Sequence, residues 1–222
     1  MSSRFHIVTL FPESIRPYVE SSILGRAQKD KKLSVKFYNP RDFTKDKHFR
    51  VDRRPYGGGP GMVLEPLSVL KAVEKAKGKK KKARVLFFSP AGRQFDSAYA
   101  KELAESKSDI IMIAGHYEGI DARVETILKA EAVSVGPYVL TGGELPAATV
   151  IDAVVRFVPG ILGNETSVEE RRVASPDVYT RPEVLVYKKK KYHVPKVLLS
   201  GNHAEMDKWK AEQTAKRLKK RK

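Results

Sequence analysis

The sequence predicts an α/β fold with a mostly parallel sheet, followed by a short basic segment. Three observations predict it. Short apolar runs alternate with stretches of helical periodicity up to about Gly163, the pattern of successive βαβ units. Three of those runs end directly in glycine-bearing loops. Of 222 residues, 41% are hydrophobic and 31% charged, which suffices for a packed core and excludes chain-wide disorder.

Residues 5–10 (FHIVTL) form a buried strand by composition. Pro12 opens a helix expected to run to about Gln28, because Ile15, Val19, Ile23, Leu24 and Ala27 fall near helical spacing. Residues 33–38 alternate as a strand. Residues 39–62 form a long polar stretch ending in RPYGGGPGM. Residues 67–76 are helical by pattern. Residues 85–88 are a short strand stopping at Ser89-Pro90. A helix over 96–106, a strand over 110–114, a helix over 125–129 and a strand over 132–135 follow. Pro146 starts a helix to about Val158, since proline tolerates a first turn. Residues 164–183 are charged and aperiodic, and read as a mobile interdomain loop. Residues 184–222 read as a short basic helical segment. The division is therefore 1–163, 164–183 and 184–222.

Composition narrows the function classes. There is no Cys, so disulfides and thiolate metal sites are excluded. The five His lack ligand spacing, so no metal site is expected. No apolar run reaches the roughly 18 residues of a membrane span. The N-terminal MSSRFHIVTLF is too short and polar for a signal peptide. A cytoplasmic protein with no membrane partner is expected. The net charge is +17, and residues 186–222 carry 13 Lys or Arg against 3 Asp or Glu, a net of +10. Such clusters attract nucleic acid by releasing condensed counterions. The basic run over 77–82 reads instead as a solvated helix-to-strand turn. The last helix has too little apolar face for a membrane surface.

The strand-end loops are SPAGR, GHYEGID and GPYVLTGGELP. Ligands of open α/β sheets bind beyond the carboxyl ends of the strands. Glycines there let the backbone approach a ligand and offer it N–H and C=O groups. Dinucleotide and P-loop fingerprints are absent. Few fixed charges and many backbone groups suit an uncharged heterocycle with a small polar tail.

RPYGGGPGM, SPAGR, GHYEGID, SVGPYVLTGGELP, RFVPGILGNE, YTRPE and PKVLLSGNHAE together resemble the bacterial tRNA (guanine-N1)-methyltransferases that act on guanine 37, the TrmD family of the SPOUT superfamily. The resemblance runs in order from Phe5 to about Trp209. It implies a SPOUT-type sheet with a C-terminal trefoil knot holding S-adenosylmethionine. It also implies a homodimer with its active site between subunits, and tRNA as the partner. Cofactor contacts then fall on Phe87, Phe88, Ser89 and Pro90; on Gly115, Tyr117, Glu118 and Gly119; and on Val135, Gly136, Tyr138, Leu140, Gly142, Gly143 and Pro146. Phe87 and Tyr138 read equally as core aromatics, and Glu118 as an internal ion pair. Substrate contacts fall on Arg41, Asp52, Arg54, Tyr56 and Gly59; Asp52 and Arg54 read equally as fixing their loop.

N1 of guanine carries a proton, so methyl transfer needs alignment, proton removal and stabilisation of charge on O6. Arg156 matches the family's catalytic Arg. The family's base is an Asp in the loop after the knot, assisted by magnesium. Aligned from Ser167, that position falls on Arg171, and the loop is several residues shorter. Glu170 is the first substitute and Asp177 the second; a missing or borrowed base is the alternative. The chain also ends earlier than the family pattern, so the basic segment is expected to supply phosphate contacts, which give affinity rather than sequence choice. Two other functions stay open: an RNA-binding protein that keeps the cofactor without catalysis, and another knotted RNA methyltransferase.

Overall fold

The computed structural model describes residues 3–79, 82–162 and 177–219. The chain divides into two compact units, Met1–Leu162 and Gly163–Lys222.

The first unit is built on β1 (Ser3–Val8), β2 (Leu33–Tyr38), β5 (Ala83–Gln94), β6 (Asp109–Ile113) and β7 (Glu131–Ser134). They form one parallel sheet in the order β2-β1-β6-β5-β7. Every residue of β6 is buried, and its side chains alternate between two cores. Ile110 and Met112 join Phe5, Leu86 and Val133 on one face; Ile111 and Ile113 join Val8, Leu64 and Val124 on the other. That is the period-2 pattern of a strand covered on both sides. Helices α1 (Arg16–Val19), α2 (Ser22–Lys29), α4 (Ser97–Glu105) and α6 (Glu144–Val155) cover the first face. Helices α3 (Pro66–Lys77) and α5 (Arg123–Leu128) cover the second. Two short strands, β3 (Asp52–Arg53) and β4 (Val63–Leu64), pair antiparallel and close the glycine-rich loop between them.

Four departures from the sequence reading have physical causes. The single helix expected from Pro12 is a 3-10 turn, Pro12–Ser14, then α1 and α2. Ser21 is extended, its hydroxyl donates back to the Tyr18 carbonyl, and Ser22 takes a φ of +49°. Gly25 permits the fold-back, because a Cβ there would lie 2.2 Å from the Glu20 carbonyl oxygen. The strand expected to stop at Ser89 runs on to Gln94. Phe88 and Arg93 both pair with Val133, so the intervening residues bulge out of the ladder. Gly92 is required there, since its Cβ would sit 2.4 Å from the Val133 nitrogen. Helix α6 starts at Glu144 behind Gly143, two residues before Pro146. A proline in the first turn costs nothing, because the first amides have no helical acceptor.

The fourth departure lies in the second unit. Residues 184–222 are not helical throughout: β8 (Val184–Tyr187) and β9 (Lys190–His193) form an antiparallel hairpin. A 3-10 turn, Lys196–Leu199, and α7 (His203–Lys219) follow. The rings of Tyr179 and Trp209 lie 6.3 Å apart and tie the segment after Asp177 to α7. The expected mobile loop lies largely outside the described residues. Among the described residues no helix is long and apolar enough to cross a membrane.

Candidate functional site

The site lies at the carboxyl ends of three adjacent strands. After Ile113 the chain leaves β6 through Gly115-His116-Tyr117-Glu118-Gly119. After Ser134 it leaves β7 through a second glycine loop that reaches α6. The bulge of β5 supplies the third wall. A cavity of about 370 Å³ lies between them, and every residue assigned above to the cofactor lines it. His116, Ile120, Val133, Ser134, Val139 and Thr141 line it too. None of these six stands out from sequence. His116 lacks ligand spacing, and the others are ordinary loop and strand residues.

Backbone contacts lock the loops together. The Gly143 N–H donates to the Gly115 carbonyl at 2.8 Å, and His116 and Gly142 form an isolated antiparallel bridge. A Cβ on Gly143 would lie 2.5 Å from the Ala114 Cα. A Cβ on Gly142 would lie 2.3 Å from Glu144 Oε2 and 2.7 Å from His116 Nδ1. These glycines are therefore close-approach positions. Tyr117 holds a left-handed φ of +59°, which a non-glycine residue adopts at some cost. Tyr138 folds back over its own loop, its hydroxyl donating to the Val135 carbonyl at 3.2 Å. It is half exposed, so the core-aromatic reading does not describe it.

Beneath the loops runs a buried polar chain. The Thr9 hydroxyl donates to Glu144 Oε1 at 2.6 Å, and the other oxygen of that carboxylate is 3.8 Å from His116 Nδ1. That nitrogen is buried with no hydrogen-bond partner among the described residues. The His116 ring packs against Phe11 at 4.7 Å and edge-on to Tyr117 at 5.0 Å. Helix α4 is pinned to β5 and β7 by Arg84. Its guanidinium donates to Glu102 at 2.7 Å and grips Glu131, which also accepts from the Tyr99 hydroxyl at 2.7 Å. Arg84 holds the Glu131 carboxyl below its ordinary range. Burial and Glu131 push the Tyr99 phenol up to about 12.

The segment assigned to substrate adjoins this cavity. The Glu118 N–H donates to the Met62 carbonyl, and a Cβ on Gly61 would lie 2.5 Å from the Glu118 side chain. Asp52 sits on β3 partly buried, Arg54 and Gly59 are exposed, and Tyr56 is fully exposed. Gly57, Gly58 and Gly59 all have positive φ. Arg41 donates to the Leu10 carbonyl and lies over the Phe11 ring, which leads on to His116. Gly61 and Glu144 are neighbours of the site that sequence reasoning missed. Gly61 closes a glycine run, and Glu144 falls in the loop before the helix expected from Pro146.

Of the three residues assigned to catalysis, Arg156 belongs to the cavity's own unit and does not line the cavity. Arg156 caps the far end of α6. The 12 residues of that helix place it about 18 Å from the loop, at 1.5 Å per residue. Asp177 accepts a hydrogen bond from Arg217 at 2.6 Å within the second unit. Glu170 lies outside the described residues. Among the described residues no three His, Asp or Glu side chains converge to hold a metal ion.

Comparison with known proteins bears on this geometry. The sequence profile of a family described as tRNA (guanine-1)-methyltransferase TrmD matches residues 3–222. A protein of Pasteurella multocida is 48% identical over 216 residues, 95% of this chain and 86% of that protein. One of Photobacterium profundum is 46% identical over 213 residues, covering 94% and 84%. One of Psychromonas ingrahamii is 47% identical over 223 residues, covering 97% and 88%. Each of the three is named tRNA (guanine-N(1)-)-methyltransferase.

Proposed function

The chain belongs to the tRNA (guanine-1)-methyltransferase family, TrmD, and from that premise we propose that it transfers a methyl group from S-adenosylmethionine to N1 of guanine 37 in tRNA. The observation that carries this reading is the cavity at the ends of β5, β6 and β7. Its apolar walls, Phe88, Val133 and Leu140 among them, suit the faces of a heterocycle. Its glycines leave backbone groups within reach, and Glu118 offers an anion to the cationic end of the cofactor. The residues present therefore fit S-adenosylmethionine. When bound, it supplies the sulfonium methyl group that N1 of guanine takes up.

The chain's own residues do the rest. Tyr56 presents a free ring on which an unstacked base can lie. Arg41, Asp52, Arg54 and Gly59 are assigned to the guanine and its neighbours. Arg156 offsets the negative charge that grows on O6 as the N1 proton leaves. Glu170 is assigned as the base. Asp177 ranks second, because its bond to Arg217 has to open first.

Arg156 reaches the reacting atoms only if a second subunit brings it. What supports a homodimer is this separation together with the apolar rim of the cavity, where Val139 is 83% and Leu145 60% exposed. What supports a trefoil knot is the family to which the chain belongs.

Subunit mixing tests the shared site. Arg156→Ala and a cavity-filling Gly142→Val are each expected to abolish methyl transfer. A twofold dimer with one intact composite site restores about a quarter of the activity when the two are co-expressed. No recovery, with mixed dimers present, would place Arg156 within its own subunit and overturn the arrangement.

A further inference from the structure

We propose that the β8–β9 hairpin is a phosphate-docking finger that binds the RNA backbone, with lysines at its tip and tyrosines on its flank. The inference takes the identity of the RNA from the tRNA reading above; the geometry of the finger stands apart from it.

The hairpin is exposed on both faces. All four residues of β9 and three of the four in β8 are exposed. A two-stranded ribbon with neither face covered is marginal in water, so the residues that it displays call for an explanation. The cross-strand pairs are Leu185 with Tyr192 and Tyr187 with Lys190. Pairing and alternation place these four on one face. Leu185, Tyr187 and Tyr192 are each more than half exposed.

The tip is the second observation. Tyr187 pairs directly with Lys190, so Lys188 and Lys189 form a two-residue turn with φ of +48° and +62°. Such turns strongly favour Asn-Gly or Gly-Gly, which adopt positive φ at little cost. Here two lysines occupy them, and two more follow. Four consecutive like charges repel each other and oppose the turn further. Among the described residues, the ion pairs of the second unit join Arg217 to Asp177 and Lys210 to Asp207 and include none of the hairpin lysines, and Lys188 lies 5.6 Å over the Tyr187 ring at the tip. Local propensity and local electrostatics both disfavour this tip, and such conflicts mark functional positions.

Charge decides the occupant. A second copy of this chain carries the same net charge of +17, which disfavours it as the occupant of a lysine tip, whereas the dimer proposed above meets through an apolar rim. RNA supplies a closely spaced row of phosphates. Tyrosine beside lysine adds ring faces for ribose or an unpaired base. The contact is sequence-neutral, so it contributes affinity and register and leaves the choice of base to the cavity.

The test is the salt dependence of tRNA binding by the full chain. Lys188→Asn/Lys189→Gly gives the turn its preferred residues while deleting two charges. Each phosphate contact contributes about 0.7–0.9 to the slope of log K against log salt, so the double variant is expected to lower that slope by about 1.5. Between about 50 and 200 mM salt the parent then loses about tenfold more affinity than the variant. Lys188→Arg/Lys189→Arg is expected to restore the parent slope. An unchanged slope overturns the proposal, and so does a variant whose self-association weakens while its slope stays fixed, which would give the hairpin to a second copy. Parent protein that binds tRNA with the expected slope but transfers no methyl group would defeat the enzymatic reading and leave the finger standing.

Discussion

Replacing Gly143 with alanine probes the joint on which the cavity depends. Gly143 has a φ of −85°, so alanine suits its backbone and the perturbation is purely steric. The new Cβ would meet Ala114 Cα at 2.5 Å, the Gly115 nitrogen at 2.9 Å and the Ala114 carbonyl carbon at 3.0 Å. All are backbone atoms, with no flexible side chain to yield. Ordinary contact distances of about 3.5–4.0 Å require the two loops to part by roughly an ångström. Overpacking of this kind costs about 1–3 kcal/mol. The 2.8 Å bond from Gly143 to Gly115 is then stretched, at a further cost of about 1 kcal/mol. The sum of about 2–4 kcal/mol lowers the melting temperature by about 5–15 °C for a chain of this size. Thermal melts followed by circular dichroism measure it, and calorimetric titration with S-adenosylmethionine is expected to show a Kd raised about tenfold or more. Gly59→Ala is the control. Its φ is +111° with nothing within 4 Å of the added carbon, so it costs about 1 kcal/mol of backbone strain and leaves cofactor affinity unchanged. A Gly143→Ala protein that melts within about 2 °C of the parent (roughly the shift of 1 kcal/mol) and binds the cofactor equally well would refute the close-approach argument.

Thr9→Val removes the donor to the buried Glu144 carboxylate; urea unfolding is expected to show a loss of about 2 kcal/mol, largely restored by Thr9→Ser, whereas equal stability of the valine form would remove Thr9 from the buried chain. The Tyr99 phenol is pushed up to about 12, so its neutral form stabilises the fold below about pH 10, and that contribution is lost as pH rises from about 10 through about 12. Melting temperature is therefore expected to fall more steeply over this window in the parent than in Tyr99→Phe, and parallel curves would contradict the assignment. For Glu131 the sign is opposite: Arg84 lowers its pKa, so its contribution is present above the ordinary glutamate range and fades as pH falls through it. Glu131→Gln is expected to lose stability at neutral pH and to flatten the acid limb of the melting curve.

The sheet was legible because its inner strands carry short apolar runs and its edge strand β2 alternates. In residues 110–113 every side chain meets one core or the other, which is what a continuous Ile-Ile-Met-Ile run predicts. The cavity was legible because glycines at strand ends announce close approach, and the resemblance supplied the identity of its lining. Illegible features depend on backbone contacts or turn conformations that residue type alone does not announce. Nothing near Ser21 says that the Glu20 carbonyl folds onto Gly25. The β5 bulge is specified by Gly92 meeting Val133 of β7, far along the chain. The β8–β9 hairpin carries lysines where turn chemistry asks for glycine, so its own tip conceals it. His116 lacks ligand spacing in the sequence, yet its neighbours Phe11, Glu144 and Gly142 come from other segments.

Methyl transfer to guanine beside the anticodon is proposed for a chain whose aligned base position is Arg171. Transfer of label from S-adenosylmethionine to unmodified tRNA, with guanine or adenine at position 37, tests it most directly. Label is expected in the guanine tRNA alone, recovered as N1-methylguanosine. No label in either tRNA, with cofactor binding intact, would contradict it and make the protein an RNA-binding relative that has lost its chemistry.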